Sequence, residues 1–384
     1  MVKDRVSLTD SLSLIGGNAQ RSFYRPELDV LRFFAFLMVL GSHSLPGPVG
    51  PGTKAHILRA LQHGSALGVP VFFLLSAYLI TDLLIREKRS TGTINIRNFY
   101  IRRILRIWPL YFLALAMAYA VGIFLPAQRL TAGGLASLLL LTGNWYSAYH
   151  DLPILALALW SLSIEEQFYL IWPSLVRRAS ERLVIVAAAV LWVGAQLYTW
   201  FLAGPLGMSS GRLRADSLIE FQYFALGTLL AFYLSGSLPQ LSKPIRVVLI
   251  VLGLLALYGG EYLFGVLASK GPIVPQQAVL VFAVAGLGGS SLLYGFLGAT
   301  LPRWVSPIVN LGKISYGLYV FHLGFISLTL LAAAHLHFTH RLFLLVVFVS
   351  LPITITTAQL SYKYLERPFL LLKKRFTLVE SREI

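Results

Sequence analysis

The chain has 384 residues, 57% hydrophobic and only 12% charged, with a mean hydropathy of +0.72. That is too little polar surface to coat a soluble globule of this length, so lipid must be its solvent. The formal charge of +16 invites a nucleic-acid reading, but the basic residues lie in short segments between apolar runs. No recognition helix, zinc finger or aromatic single-strand platform accompanies them, so nucleic acid is excluded as an expected partner. Cysteine is absent, which removes disulfides, thiolate nucleophiles and thiolate metal sites and leaves the chemistry to His, Glu, Asp, Ser or Tyr.

The segment 1–27 lacks the charged, apolar and small-residue order of a cleavable signal peptide, so the first span is expected to persist in the mature protein. Apolar runs near spanning length fall at about 28–45, 64–85, 107–125, 155–176, 183–203, 218–234, 247–267, 276–298, 314–334 and 341–362. The expected architecture is therefore an all-α integral membrane protein of about ten transmembrane helices around a polar cavity or conduit. It divides into a cytoplasmic N-terminal segment at 1–27, one transmembrane domain at 28–365 and a basic cytoplasmic tail at 366–384. Positive residues gather before the first span (Arg21, Arg25), after the second (Arg86 to Arg106), after the fourth (Arg177, Arg178, Arg182) and at the C-terminus. Ten spans with both termini inside place every cluster in the cytoplasm, and the protein in the cytoplasmic (inner) membrane. A helix over 131–143 (TAGGLASLLLLTG) would break that parity. It is short, and is expected to be a re-entrant or interfacial excursion on the outer side.

The first span carries Arg32 and His43. Eleven helical positions advance about 1100°, close to three turns, so the two side chains share a face about 16 Å apart along the axis. A guanidinium inside a span costs roughly 2.5–3.5 kcal/mol on an insertion scale, and such a residue normally faces protein or a polar cavity. The alternative is a snorkelling arginine with a capping histidine. Asp29, three residues before Arg32, lies at the spacing where helix side chains meet.

The fourth span begins WSLSIEEQFYLIWP, with Glu165 and Glu166 in an otherwise apolar helix. Adjacent positions point roughly 100° apart, so at most one carboxylate aims straight into a site while the other pairs with a neighbouring span. Both lie at a depth comparable with His43, and a carboxylate that fixes the tautomer of a histidine is what a general base needs. A purely structural balance of buried arginines is the competing reading. After the second span, Arg103 and Arg106 share a helix face, thickened by Arg97 and Arg102. Guanidinium forks of this kind match phosphates, although a positive-inside signal alone accounts for most of those charges.

Together these residues resemble the bacterial acyltransferase 3 family of multi-pass membrane acyltransferases. The resemblance runs from about residue 27 to 369. It rests on the Arg32 to His43 spacing, FFLLSAYLIT, RRILRIWPLYF, WSLSIEEQFYLIWP, GKISYGLYVFH (312–322) and the closing YLERPF. It implies transfer of an acyl group, often acetyl, from cytoplasmic acyl-CoA to a hydroxyl of a carbohydrate or other envelope or secondary-metabolite acceptor, without a metal. On that match Arg32 and His43 take the family's essential pair, Arg103 and Arg106 its donor-side arginines, and Glu165 or Glu166 its motif glutamate. Ala77 stands where members commonly have glycine, and the region around Arg214 and Asp216 lacks a close glycine of one familiar version. No esterase-like domain follows residue 384, so hand-on to a fused partner is not expected.

The expected sites are thus His43, Glu165 and Glu166 for catalysis, Arg32, Arg97, Arg102, Arg103 and Arg106 for acyl-CoA, and Arg214, Asp216 and Trp160 for the acceptor. Ser76, Ser161, Ser163 and Tyr316 could donate to an oxyanion, but span-facing hydroxyls more often bond their own helix. His322 reads as a satisfied inter-helix histidine. His335, His337 and His340 lack an accompanying carboxylate and are not expected to hold a metal. Membrane lipids surround the protein, and a homodimer is compatible with all of this. A transporter or flippase of a lipid-linked or anionic glycan is the rival function, since buried charges and many spans also suit a translocation path.

Overall fold

The structure, a computed structural model, describes residues 24–45, 52–338 and 342–377. Every regular element among the described residues is helical. Ten long helices, numbered in chain order, make the body: α1 (Pro26–Ser44), α2 (Gly68–Thr91), α3 (Ile96–Phe124), α4 (Leu159–Arg178), α5 (Glu181–Ala203), α6 (Ser217–Leu234), α7 (Lys243–Phe264), α8 (Pro275–Phe296), α9 (Ser315–His335) and α10 (Leu342–Phe376).

Nine helices among the described residues are long and apolar enough to cross a bilayer. They coincide with the second to tenth apolar runs. Helix α1 stands apart because Glu27, Asp29 and Arg32 fall within its 19 residues. The excursion at 131–143 is the eight-residue helix Ala132–Leu139, about 12 Å long and far short of a bilayer core. Thr131 caps its start, and Leu141 at φ 57° breaks the chain after it.

Local chemistry sets the ends. Pro26 opens α1 with acidic Glu27 and Asp29 in the first turn, where the helix dipole favours them. Helix α2 stops at Gly92 in the left-handed conformation, and Asn95 caps the start of α3 by accepting from the amide of Asn98.

Helix α2 is central and packs against α1, α4, α6 and α8. Its approach to α6 depends on Gly227, where a Cβ would collide with the carbonyl of Leu74 and press on the methyl of Ala77. Ala77 is fully buried there, so the alanine in FFLLSAYLIT is accommodated by a glycine on the facing helix. In contrast, α7 leaves Val248, Leu252 and Leu255 exposed, as a lipid-facing stripe requires.

The positive clusters converge on one face. Arg89 pairs with Glu181 at 3.1 Å and reaches the carbonyl of Ser235, Lys88 donates to the carbonyls of Val176 and Ala179, and Arg102 donates to the carbonyl of Phe376 at 2.8 Å. These bonds bring the ends of α2, α4, α6 and α10 together with the starts of α3 and α5. Arg21 and the segment 378–384 lie outside the described residues.

Candidate active site: two cavities with a common wall

At the basic end lies a cavity, termed inner for its place beside the positive clusters, into which α1, α2, α3, α4, α9 and α10 send side chains. Arg32, Arg103, Arg106, Asp29 and Glu165 all line it. Arg32 donates to Asp29 at 2.9 Å, the contact expected from their spacing, and the Tyr24 hydroxyl donates to the other oxygen of Asp29 at 2.9 Å. Gly312 makes room for this arrangement: a Cβ there would overlap the backbone carbonyl of Asp29.

Arg103 lies 5.6 Å from the Phe99 ring centroid and 5.7 Å from that of Tyr169, with its Nε lacking a hydrogen-bond partner among the described residues. Glu165 accepts from Ser76 at 2.5 Å and from Tyr169, so the carboxylate facing the cavity is held by two hydroxyls. Arg25 and Lys373 also line the cavity. Lys373 falls in the C-terminal basic cluster, where its placement could not be told from a topology signal.

The two glutamates diverge as adjacent helical positions must. Glu166 lies outside both cavities, accepting from the Trp108 indole at 3.3 Å. Arg97 is exposed and Arg102 is held by Glu87 at 2.9 Å and by Phe376, and neither lines the cavity. The arginine surface that lines the cavity is therefore narrower than the arginine count suggested, because the Arg102 guanidinium is spent on a carboxylate and a carbonyl away from it.

A second cavity, termed outer, occupies the opposite half. His43, His63, Trp160, Arg214 and His322 line it, and Arg214 reaches toward the carbonyl of Ala66 at 3.4 Å. His43 keeps exposed surface at the end of α1. Its neighbour is not a glutamate. Neither Glu165 nor Glu166 lines this cavity, and the ring centroid of His322 lies 5.5 Å from that of His43. The two glutamates expected beside His43 thus do not line its cavity, Glu165 being directed to the inner half. Asp216 caps α6 instead of lining the cavity, accepting from the amides of Leu218 and Ile219, and burial raises its carboxyl above the usual carboxylate range.

The loop bearing Arg214 is anchored by a network that sequence reasoning passed over. Asn144 donates to the carbonyl of Ala215 at 2.8 Å and to Ser217 at 2.9 Å, while Gln167 donates to Asn144 at 3.0 Å and accepts from Ser217 at 2.5 Å. The Gln of the EEQ triplet was the available signal, since an amide in an apolar helix needs partners.

Two residues, Val69 and Tyr319, line both cavities. The Tyr319 hydroxyl meets Ser161 at 2.7 Å on the inner side, and its backbone carbonyl meets Nδ1 of His322 at 2.5 Å on the outer side. Of the hydroxyls weighed as oxyanion donors, Ser163 bonds its own helix and Tyr316 donates to the carbonyl of Ile107, whereas Ser76 bonds Glu165. His335 and His337 are exposed, His340 lies outside the described residues, and among the described residues no group of metal-ligating side chains converges.

The acyltransferase 3 family profile, described as an acyltransferase domain, matches residues 25–362. The chain belongs to the acyltransferase 3 family. Curated relatives include a provisionally named O-acetyltransferase, SAS0844, of Staphylococcus aureus strain MSSA476, 27% identical over 373 residues, covering 90% of this chain and 57% of that protein. The O-acetyltransferase OatA of Staphylococcus aureus strain NCTC 8325 / PS 47 is 26% identical over the same length and coverage. The chain therefore spans a little over half the length of these relatives. No solved structure matches. As an acyltransferase 3 member with nine helices able to cross a bilayer among its described residues, it is a multi-pass membrane protein.

Proposed function

We propose that this acyltransferase 3 protein is an O-acyltransferase that moves an acyl group, acetyl in the simplest case, from cytoplasmic acyl-CoA to a hydroxyl of a carbohydrate or other envelope or secondary-metabolite acceptor. The observation that carries the reading is the common wall: Val69 and Tyr319 border both a cationic inner cavity and an outer cavity holding His43. The O-acetyltransferase relatives supply the reaction class. The convergence of basic clusters on one face supports ten spans, α1 included, with both termini in the cytoplasm and the protein in the inner membrane. The short helix Ala132–Leu139 then lies on the outer side.

In this reading the CoA phosphates bind Arg103 and Arg106, whose forks suit phosphate oxygens. Arg32, fixed by Asp29, stands deeper along α1, and the thioester reaches Tyr319 at the wall. His43 takes the proton of the acceptor hydroxyl, whose oxygen bonds the carbonyl carbon as the C–S bond breaks. The same proton passes to the departing thiolate, so CoA and an ester are the only products. Trp160 and Arg214 offer the acceptor a stacking surface and a donor fork. Direct transfer needs no acyl-enzyme, in keeping with a chain that has no cysteine.

The test is purified protein given acetyl-CoA and candidate glycans. Release of free CoA that depends on acceptor and is abolished in His43→Ala supports transfer. Binding of glycan without CoA release, unaffected by His43→Ala, is the outcome a transporter gives and overturns it.

A further inference from the structure

His322 is buried, at 1% exposure, in the middle of GKISYGLYVFH, yet it is not a satisfied core histidine. Its Nδ1 is bound to the carbonyl of Tyr319 at 2.5 Å, while its Nε2 has no hydrogen-bond partner among the described residues. A carbonyl only accepts, so Nδ1 carries the proton, and in the neutral ring Nε2 is left with a lone pair. The ring lines the outer cavity beside His43, with centroids 5.5 Å apart and planes at 52°. Two imidazoles joined by one N–H···N bond have centroids roughly 5 Å apart, two ring radii plus a hydrogen-bond length. A small side-chain adjustment closes the gap, and catalytic bonds are often long before substrate binds. Phe36 stands edge-on to His322 at 6.0 Å and Tyr319 flanks it at 5.6 Å, so the ring has little freedom to turn away.

We propose that His322 is the positioning partner of His43: its Nε2 accepts the ring N–H that His43 directs away from the acceptor, the place a carboxylate holds in serine hydrolase triads. The inference rests on the transferase reading given above. It assigns His322 no contact with substrate. Its effect is to select the His43 tautomer whose free nitrogen faces the acceptor hydroxyl, and to stabilise the imidazolium that forms. A neutral imidazole does this without itself adding a fixed negative charge beside His43. The Tyr319 carbonyl is the outer link of the chain, so the residue that separates the cavities also sets the tautomer of the pair.

The experiment compares His322→Asn with His322→Gln in acetyl-CoA turnover. An asparagine amide can replace the bond from Nδ1 to the Tyr319 carbonyl but supplies nothing at Nε2, whereas glutamine can place an acceptor oxygen there. We expect His322→Asn to lose 100-fold or more in kcat, with acetyl-CoA affinity and melting temperature unchanged, and His322→Gln to retain at least tenfold more activity than His322→Asn. Full kcat in His322→Asn overturns the pairing while leaving the transferase reading intact; no turnover in the unmodified protein sinks the transferase reading itself. A second measurement does not depend on folding of either variant. The ¹⁵N spectrum of histidine-labelled protein should show an unprotonated His322 Nε2 whose shift moves in His43→Ala, and an unmoved or protonated Nε2 contradicts the proposal.

Discussion

The inner cavity draws Arg32, Arg103, Arg106 and Lys373 to a wall whose only carboxylates among the described residues are bound, Asp29 by Arg32 and Tyr24, and Glu165 by two hydroxyls. The outer cavity sets imidazoles, an indole and the Arg214 guanidinium around open space. Excess cationic charge suits a polyphosphate donor, and neutral imidazoles suit proton transfer to and from a hydroxyl. The difference teaches that clustered guanidinium groups and clustered imidazoles line opposite halves with Tyr319 between them, so the proposed mechanism keeps donor binding apart from proton transfer. A translocation path gains nothing from such a separation, because its cargo must meet both halves in turn.

If the chemistry belongs to the outer half, His43→Ala should lower acyl transfer by about 10²- to 10⁴-fold while acetyl-CoA still binds, as titration calorimetry can check. Retained turnover would place the base elsewhere. Recognition by the inner half is next in size. Arg103→Ala and Arg106→Ala should each weaken acetyl-CoA binding by roughly 10- to 100-fold, as loss of a charged hydrogen bond implies, with Arg97→Ala near unity as the control. Equal effects from all three would mean a diffuse surface potential instead of a defined cavity. The packing beneath the inner half gives a third contrast: Gly312→Ala pushes α1 off at Asp29, and should cost about 1–3 kcal/mol of stability, read as a lowered melting temperature, and weaken acetyl-CoA binding through Arg32. The smallest effect separates the acceptor wall from its support. Asp216→Ala should cost about 1 kcal/mol as a lost helix cap and leave the acceptor KM alone, whereas Trp160→Ala should raise that KM; the reverse would make Asp216 a binding residue.

Much of this was readable from residues alone. Nine of the ten apolar runs match helices able to cross a bilayer among the described residues, because a bilayer imposes one length on every helix, and Asp29 meets Arg32 because three positions apart is a contact on any helix. The divergence of Glu165 and Glu166 likewise follows from helical geometry. What periodicity cannot give is how neighbouring helices are rotated against one another. That rotation turns Glu165 inward toward Ser76 and Tyr169, leaves Arg102 to Glu87, and brings His322 beside His43 from a helix almost 300 positions away in sequence. His322 reads as satisfied from sequence for the same reason: one of its nitrogens is bonded within its own helix, and only the tertiary arrangement shows the other without a partner among the described residues. Asp216 read as an acceptor ligand because a capping carboxylate at a span end and a binding carboxylate look alike in sequence.

The most direct test reconstitutes the protein in sealed vesicles, supplies labelled acetyl-CoA to the arginine-rich face alone and acceptor to the opposite face alone, and follows both products. The account predicts acetyl ester on the acceptor side and free CoA retained on the donor side, both lost in His43→Ala. Ester formed only when both substrates share one side, or CoA emerging with the acetyl group, would contradict it.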